Sequence, residues 1–283
     1  MKKDEVVSYY DNIASSYDES RFNNSYGRFI DAQERRVMDQ LIAPRHDTLR
    51  LEIACGTGRL TNYATHGLDA SSEMMAYAQE RHPEVEFRQA SATETGYESK
   101  MFDVVYAFHL MMHLDDDTIR QIIDETWRIL KPDGRFIFDI PSRKRRQLLH
   151  HRQASWHGGT QLSTKDVVGL VAPKFALKRR FGVMMLPVHK LPVALRKPML
   201  PIDYVLANGW LREYSSYLIF ELVKHNGYGK EEKVVLRNQP AHIRHLLAEG
   251  NPETSREELA GQGVLCLASG EGSPVRDGVL DKW

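Results

Sequence analysis

Cysteine is scarce in this chain of 283 residues, which contains only Cys55 and Cys266. Two cysteines build neither a disulfide framework nor a cysteine-based zinc site, and so few are typical of a protein in a reducing compartment. The first residues carry no apolar stretch of the kind found in signal peptides, and no run of about 18 apolar residues occurs anywhere. We therefore expect a cytoplasmic protein without a transmembrane segment.

Net charge is also absent, because 38 Lys and Arg residues balance 38 Asp and Glu residues. A neutral chain without a recognisable recognition motif is not expected to bind nucleic acid. One local exception is a basic cluster that comprises Arg143, Lys144, Arg145, Arg146, His150, His151 and Arg152. It is interpreted either as a solvated helix face or as a binding site for an anionic group such as a phosphate, a carboxylate or a lipid headgroup.

Internal repeats are missing too, and apolar segments of strand length alternate with helical patterns. Strands are predicted at residues 49–54, 67–70, 85–88, 102–108, 135–140, 178–186 and 215–224. Helices are predicted at residues 1–20, 26–42, 71–82, 115–130 and 164–172, with one more short helix after Arg59. This alternation predicts an α/β protein with a doubly wound, seven-stranded, mostly parallel sheet.

The second half of the chain departs from this alternation. Residues 187–214 contain four prolines among apolar and basic residues, and they are predicted to be an insertion near the last two strands. The favoured role for this insertion is a lid over an apolar substrate. A membrane-surface contact and a homodimer interface stay open. We expect one domain over residues 1–224 and a C-terminal extension over 225–283, either small and helical or partly disordered.

A glycine-containing turn follows the first predicted strand. Glu52 lies in that strand, Ala54, Gly56 and Gly58 form the turn, and Asp69 stands 17 residues after Glu52 at the end of the second predicted strand. Small residues let the backbone approach a ligand at the carboxyl ends of parallel strands, and an acidic residue there can accept hydrogen bonds from ribose hydroxyls. The third glycine of a dinucleotide fingerprint and the Gly-Lys-Ser/Thr of a P-loop are both absent.

This pattern resembles motif I of the class I S-adenosylmethionine (SAM)-dependent methyltransferases, and further segments resemble that family in the same order. They are the N-terminal segment 10–18, the segment 67–75, Ala90-Ser91-Ala92, Phe102-Asp103-Val104-Val105 and the turn 130–135. The resemblance covers residues 5 to 140, about half of the chain. It implies a Rossmann-like methyltransferase fold, with SAM as the cofactor and methyl donor.

The resemblance also implies which residues line the cofactor. They are Tyr10, Tyr17, Glu52, Ala54, Gly56, Gly58, Asp69, Ala70, Met74, Ser91, Ala92 and Phe108. Two departures from the family pattern stand out. Ser91 occupies the place of the usual aspartate beside the adenine, and the short interval between Gly58 and Asp69 leaves room only for a stubby first helix and second strand.

Two histidines, His109 and His113, follow the fourth predicted strand with helical i, i+4 spacing. No third metal ligand lies at a recognisable offset, so no metal site is predicted. The resemblance places this region beside the transferred methyl group. Either histidine is therefore a candidate general base, and a purely structural role stays open for both.

The predicted function is methyl transfer from SAM to a small-molecule acceptor by in-line displacement, catalysed without a metal. The Pro-Pro-Tyr/Phe tetrapeptide common in DNA and protein-amide methyltransferases is replaced by Phe108-His109-Leu110-Met111, and this favours small molecules, with O-methylation ahead. An anionic or lipid-like acceptor is compatible with the basic cluster. The alternative is a SAM-binding sensor or assembly protein that does not catalyse a reaction.

Overall fold

The computed structural model describes residues 3–42, 48–150, 159–172 and 174–225. The C-terminal extension, His151 and Arg152 therefore lie outside the described residues. No helix in the described part of the chain is both long and apolar enough to cross a membrane.

A seven-stranded sheet forms the centre of the protein. Its strands are β1 (Arg50–Ile53), β2 (His66–Asp69), β3 (Glu86–Gln89), β4 (Phe102–Ala107), β5 (Leu130–Pro141), β6 (Phe175–Val183) and β7 (Tyr217–Lys224). They run in the order β3-β2-β1-β4-β5-β7-β6. Strands β1 to β5 pair in parallel, and β7 runs antiparallel to both of its neighbours. The predicted seven-stranded, mostly parallel sheet is confirmed.

Eight α-helices surround the sheet within the described residues. They are α1 (Lys3–Ile13), α2 (Tyr17–Arg21), α3 (Ser25–Leu41), α4 (Ser72–Arg81), α5 (Asp116–Ile129), α6 (Arg143–Leu148), α7 (Thr164–Val171) and α8 (Val193–Asn208). The predicted N-terminal helix is divided into α1 and α2 by a 3₁₀ turn. The helix expected after Arg59 is reduced to the 3₁₀ turn Thr61–Tyr63, because β2 begins only three residues later.

Side-chain caps explain where several helices begin. Ser71 caps α4 by accepting a hydrogen bond from the Met74 amide, and Ser163 with Asp166 forms a capping box at α7. Asp115 caps α5, and Asn24 caps α3 by accepting from two amides of its first turn. These caps satisfy amides that the helical hydrogen-bond pattern leaves unpaired.

The core consists of two apolar layers, one on each face of the sheet. One layer packs α5 and α7 against the sheet, with Ile119, Ile123 and Val167 among its buried residues. The other packs α3 against the sheet through residues such as Val37 and Met38. β4 contributes to both layers and is buried along almost its whole length, as expected for a central strand covered on both faces.

The predicted insertion at 187–214 folds into α8 with a 3₁₀ turn on either side. β6 ends earlier than predicted, at Val183. Gly182 lies where α8 returns to the sheet, and a Cβ atom there would come within 2.2 Å of the Ala207 carbonyl oxygen and 2.3 Å of the Ser215 hydroxyl. The approach of α8 to β6 therefore requires glycine at this position.

Replacing Gly182 with alanine should destabilise the protein by about 1–3 kcal/mol, because backbone atoms of α8 must move to admit the methyl group. The matched control is Gly169→Ala in α7, where an added Cβ meets nothing within 4 Å. That change should stabilise the protein by about 0.5–1 kcal/mol through helix propensity. Urea unfolding of both variants measures the two effects, and equal stabilities would contradict this account of the α8–β6 contact.

Candidate active site

The turn after β1 presents an open backbone surface at the carboxyl ends of the parallel strands. Ala54, Gly56 and Gly58 all adopt positive φ angles, of 56°, 54° and 81°. For Ala54 this conformation costs on the order of 1 kcal/mol, and such strain is concentrated at functional sites. A Cβ atom on Gly56 would meet nothing within 4 Å, so this face of the turn is unobstructed. The turn lies where the order of the strands reverses, the usual ligand site of open α/β sheets.

Asp69 faces this turn from the end of β2. Its Oδ2 accepts a hydrogen bond from the Gly56 amide at 2.7 Å, and its Oδ1 accepts one from the Ser71 amide at 2.9 Å. Burial raises the pKa of Asp69, although these amides favour its ionised form. Because a carboxylate offers about four acceptor sites, two remain for a ligand. Ala70 follows Asp69 directly and is half-buried.

The N-terminal helices cover the same end of the sheet. Asp11 accepts a hydrogen bond from the Ser71 hydroxyl at 2.5 Å. Asp18 accepts one from the Thr57 hydroxyl at 2.6 Å and forms an ion pair with Arg81 at 2.5 Å. These polar contacts hold α1 and α2 against the turn after β1 and the start and end of α4.

Aromatic side chains extend this cover. The rings of Tyr10 and Tyr17 pack edge to face at 6.1 Å, and Tyr10 also contacts the ring of His113 at 6.3 Å. Burial raises the pKa of both tyrosines, so their hydroxyls stay protonated. The structure thus brings the predicted Tyr10, Tyr17 and His113 together above the glycine-containing turn.

The other predicted cofactor residues occupy two kinds of position. Ser91 and Ala92 are half-exposed after β3, where the Ser91 hydroxyl lies 2.9 Å from that of Thr93. Glu52, Met74 and Phe108 are buried. Burial raises the pKa of Glu52 to about 8, although a hydrogen bond from Thr61 at 2.5 Å favours ionisation, so its carboxyl group is mainly protonated at neutral pH.

His109 belongs to a buried charge network that we call the His109 network, formed by His109, Glu34, Asp139 and Arg59. Nε2 of His109 lies 2.9 Å from Glu34, and Nδ1 lies 3.6 Å from Asp139, whose Oδ1 also accepts from the His109 amide at 2.6 Å. Arg59, directly after the glycine-containing turn, pairs with Glu34 at 2.7 Å. Two basic side chains and two carboxylates therefore meet in one largely buried site.

The pKa shifts follow from this pairing. Burial disfavours the charged form of His109, but Glu34 and Asp139 outweigh it and raise the pKa of the ring. Burial also opposes ionisation of Glu34, yet His109 and Arg59 lower its pKa to about 2. For Asp139 burial dominates and raises the pKa. Both ring nitrogens of His109 thus face carboxylates, and this arrangement favours the protonated form of the ring.

Sequence reasoning missed Glu34 and Asp139, although both leave a signal in the sequence. Glu34 occupies an inward position of α3, between Ile30 and Val37, where the helical period calls for an apolar residue. Asp139 interrupts the buried apolar strand β5. A charged residue in a core register needs a partner, and each of these carboxylates finds it in His109.

Glu34, His109 and Asp139 are also ligand types for a metal, and their ligand atoms all lie within 4.8 Å of one another. Within the protein, Glu34 pairs with both His109 and Arg59, and Asp139 faces the His109 ring, so each carboxylate has a basic side chain beside it. The prediction that no metal is used remains a prediction.

The predicted basic cluster is largely engaged within the protein. Arg143 pairs with Asp166 at 2.8 Å. Arg145 donates to the carbonyl oxygens of Met185 at 2.7 Å and Tyr214 at 2.8 Å. Arg143 and Arg145 thus join α6 to α7 and to the segments flanking α8, and both interpretations of the cluster stay open.

The chain is similar to known methyltransferases in sequence and in fold. The family model described as "Methyltransferase domain" matches residues 51–138. An uncharacterized protein of Methanocaldococcus jannaschii is 33% identical over 140 residues, which are 48% of this chain and 51% of that protein. The demethylmenaquinone methyltransferase of Chlorobaculum tepidum is 28% identical over 141 residues, 46% of this chain and 56% of the relative.

Among solved structures, a SAM-dependent methyltransferase of Thermotoga maritima, described as a possible histamine N-methyltransferase, superimposes with a TM-score of 0.57. It shares 17% identity, and the match covers 76% of this chain and 98% of the other. Residues 51–138 thus form a methyltransferase domain of the class I SAM-dependent type. It spans about half the length of the curated relatives it matches.

Replacing His109 with glutamine should destabilise the protein by about 2 kcal/mol at pH 6, because the buried carboxylates Glu34 and Asp139 lose the positive charge of the ring. A raised pKa in the folded state contributes stability that is complete below the unfolded value, about 6.5, and is lost as pH rises through the folded value. The difference between wild type and His109→Gln should therefore shrink at alkaline pH. Urea unfolding at a series of pH values measures it.

His66 provides the control for this pH series, because burial lowers its pKa. Its contribution has the opposite sign: it is complete above about pH 6.5 and is lost as pH falls through the folded value. The destabilisation by His66→Gln should accordingly fade in acid. A pH-independent effect of His109→Gln would show that folding does not shift the pKa of this ring and would contradict the assigned ion pairs.

Proposed function

We propose that this protein transfers the methyl group of SAM to a hydroxyl group of a small-molecule acceptor by in-line displacement. The observation that carries the proposal is the placement of Asp69 beside the open turn 54–58 at the reversal of strand order, covered by α1 and α2. The sulfonium of SAM is an activated methyl donor. The protein therefore has to position donor and acceptor and exclude water.

We assign the donor site to residues on three sides of this turn. Ala54, Gly56 and Gly58 supply backbone surface, Asp69 and Ala70 face the ribose, and Ser91 and Ala92 face the adenine. Tyr10 and Tyr17 close the site from above. Glu52, Met74 and Phe108 are buried, and they support the turn and the ends of β2 and β4 from below. The catalytic domain in this proposal comprises residues 1–224.

The acceptor site lies next to the His109 network. The His109 ring is flanked by Phe22 at 5.9 Å and by Tyr217 at 5.6 Å. These aromatic faces suit a flat, apolar ring, and the nearby imidazolium favours an acceptor that develops negative charge on oxygen. This combination supports a phenol or enol and O-methylation. The Chlorobaculum relative is named for methylation of demethylmenaquinone, so quinols are the first acceptors to test.

The two candidate bases differ in their surroundings. Both ring nitrogens of His109 face carboxylates, so this ring cannot accept the proton of the acceptor while the network is intact. We assign it the role of a fixed positive charge. His113 is half-exposed beside Tyr10 and is the candidate for the base that removes a hydroxyl proton.

Replacing Asp69 with asparagine should weaken SAM binding by about 10- to 100-fold, the loss expected when hydrogen bonds to a charged acceptor are removed. Isothermal titration calorimetry of wild type and variant measures this change. Asp124→Asn is the matched control, because Asp124 is exposed and pairs only with Lys174 among the contacts described. Equal affinities of the Asp69 and Asp124 variants would contradict the assigned donor site.

Replacing His113 with asparagine should lower kcat for a weakly acidic phenol by about 10²-fold or more, and should lower it much less for a phenol that is already ionised. Methyl transfer from SAM labelled in its methyl carbon measures the rate, and the chemical shift of the product methyl distinguishes oxygen from carbon. SAM binding without turnover across phenols, enols and quinols would favour the non-catalytic alternative. A product methylated on carbon would overturn O-methylation.

A further inference from the structure

Two charged residues of helix α8, Asp203 and Arg196, face the protein. Asp203 is 0% exposed and accepts hydrogen bonds from the Gln33 amide at 2.6 Å and from the backbone amides of Leu186 at 2.5 Å and Met185 at 3.3 Å. Arg196 also turns inwards and donates to the Ser25 hydroxyl at 2.6 Å. These contacts fix the rotation of the helix about its own axis.

The opposite face of α8 is apolar and exposed. Val205 is 69% exposed, and Trp210, just beyond the end of the helix, is 92% exposed. With 3.6 residues per turn, the outward positions form one stripe along the helix. The exposed residues on it are Ala194, Leu195, Pro198, Pro201, Ile202, Val205 and Leu206. We call this stripe together with Trp210 the α8 face.

A contiguous apolar surface of this kind marks a site of interaction. Helix α8 cannot rotate to bury its apolar stripe, because that rotation would break every hydrogen bond of Asp203. The hydrogen bonds of Asp203 therefore keep the α8 face exposed.

Charge indicates what the α8 face contacts. Between Met184 and Arg212 the only acidic residue is Asp203, which is buried, whereas Lys190 and Lys197 are exposed beside the apolar stripe. An exposed apolar helix face edged by lysines and ending in a tryptophan has the composition of helices that lie in the interface of an anionic membrane.

We propose that the α8 face binds the surface of anionic lipid bilayers, with the apolar stripe and Trp210 among the upper acyl chains and with Lys190 and Lys197 at the headgroup phosphates. A second copy of the chain fits less well, because the exposed charges within residues 184–212 include lysines and no acid, and two such segments would repel each other. Contact with lipid would bring the enzyme to acceptors dissolved in the bilayer. Lipid binding itself does not rest on the proposed methyl transfer.

The test is co-sedimentation of the full chain with vesicles of phosphatidylglycerol and phosphatidylcholine, and with phosphatidylcholine alone. We expect binding to the anionic vesicles that falls as salt is added. The double variant Ile202→Glu with Val205→Glu should bind at least tenfold more weakly. Val168→Glu on α7, which also replaces an exposed valine, is the matched control and should bind like wild type.

Fluorescence gives a second measurement that does not depend on a charge change. The chain contains four tryptophans, and the difference between wild type and Trp210→Phe isolates the emission of Trp210. This difference spectrum should shift to the blue on addition of anionic vesicles and should be quenched by brominated lipids. Circular dichroism of each variant checks that it is folded.

Three outcomes would overturn the proposal. They are no binding of wild type to anionic vesicles, equal binding of wild type and the double glutamate variant, and an unchanged Trp210 emission. A wild-type dimer in size-exclusion chromatography that the double variant abolishes, without vesicle binding, would identify a second copy as the occupant instead.

Discussion

The ion pair between Glu34 and His109 is the interaction on which the rest of the site depends. Glu34 lies on α3, His109 follows β4, Asp139 lies on β5, and Arg59 follows the turn after β1. Each carboxylate would be costly to bury alone, and removing one partner of a buried pair leaves the other uncompensated. Separating these charges would leave each one buried without a partner. The ion pairs therefore hold four segments, which are far apart in the sequence, next to one another.

The two halves of the site were unequally predictable from the sequence. The turn 54–58 and Asp69 are recognisable because their spacing is local and their backbone requirements are specific to residue type. The core faces of α3 and α5 follow from helical periodicity, and the Ser71 and Ser163 caps follow from their sequence context. Local rules therefore account for most of the elements and for the donor side of the site.

The acceptor side depends on contacts that no local rule specifies. The antiparallel direction of β7 places Tyr217 beside β5 and near His109, and a buried apolar strand carries no mark of its direction. For α8, apolar content alone would turn Leu195, Ile202 and Val205 inwards. The structure turns Asp203 inwards because its partners, Gln33 and two backbone amides, come from other elements of the fold.

Gln33 and Glu34 are consecutive residues of α3, and both are buried. Gln33 joins Asp203 of α8 to the backbone of Met184, while Glu34 joins His109 and Arg59. A slide or rotation of α3 by even one residue would break both sets of contacts at once. Through these two residues, helix α3 is joined both to α8 and to Arg59, directly after the glycine-containing turn. Helices α1 and α2 take no part in these two sets of contacts and are joined to the turn after β1 and to α4 through Asp11 and Asp18, so a change in their position would leave the contacts of α3 intact.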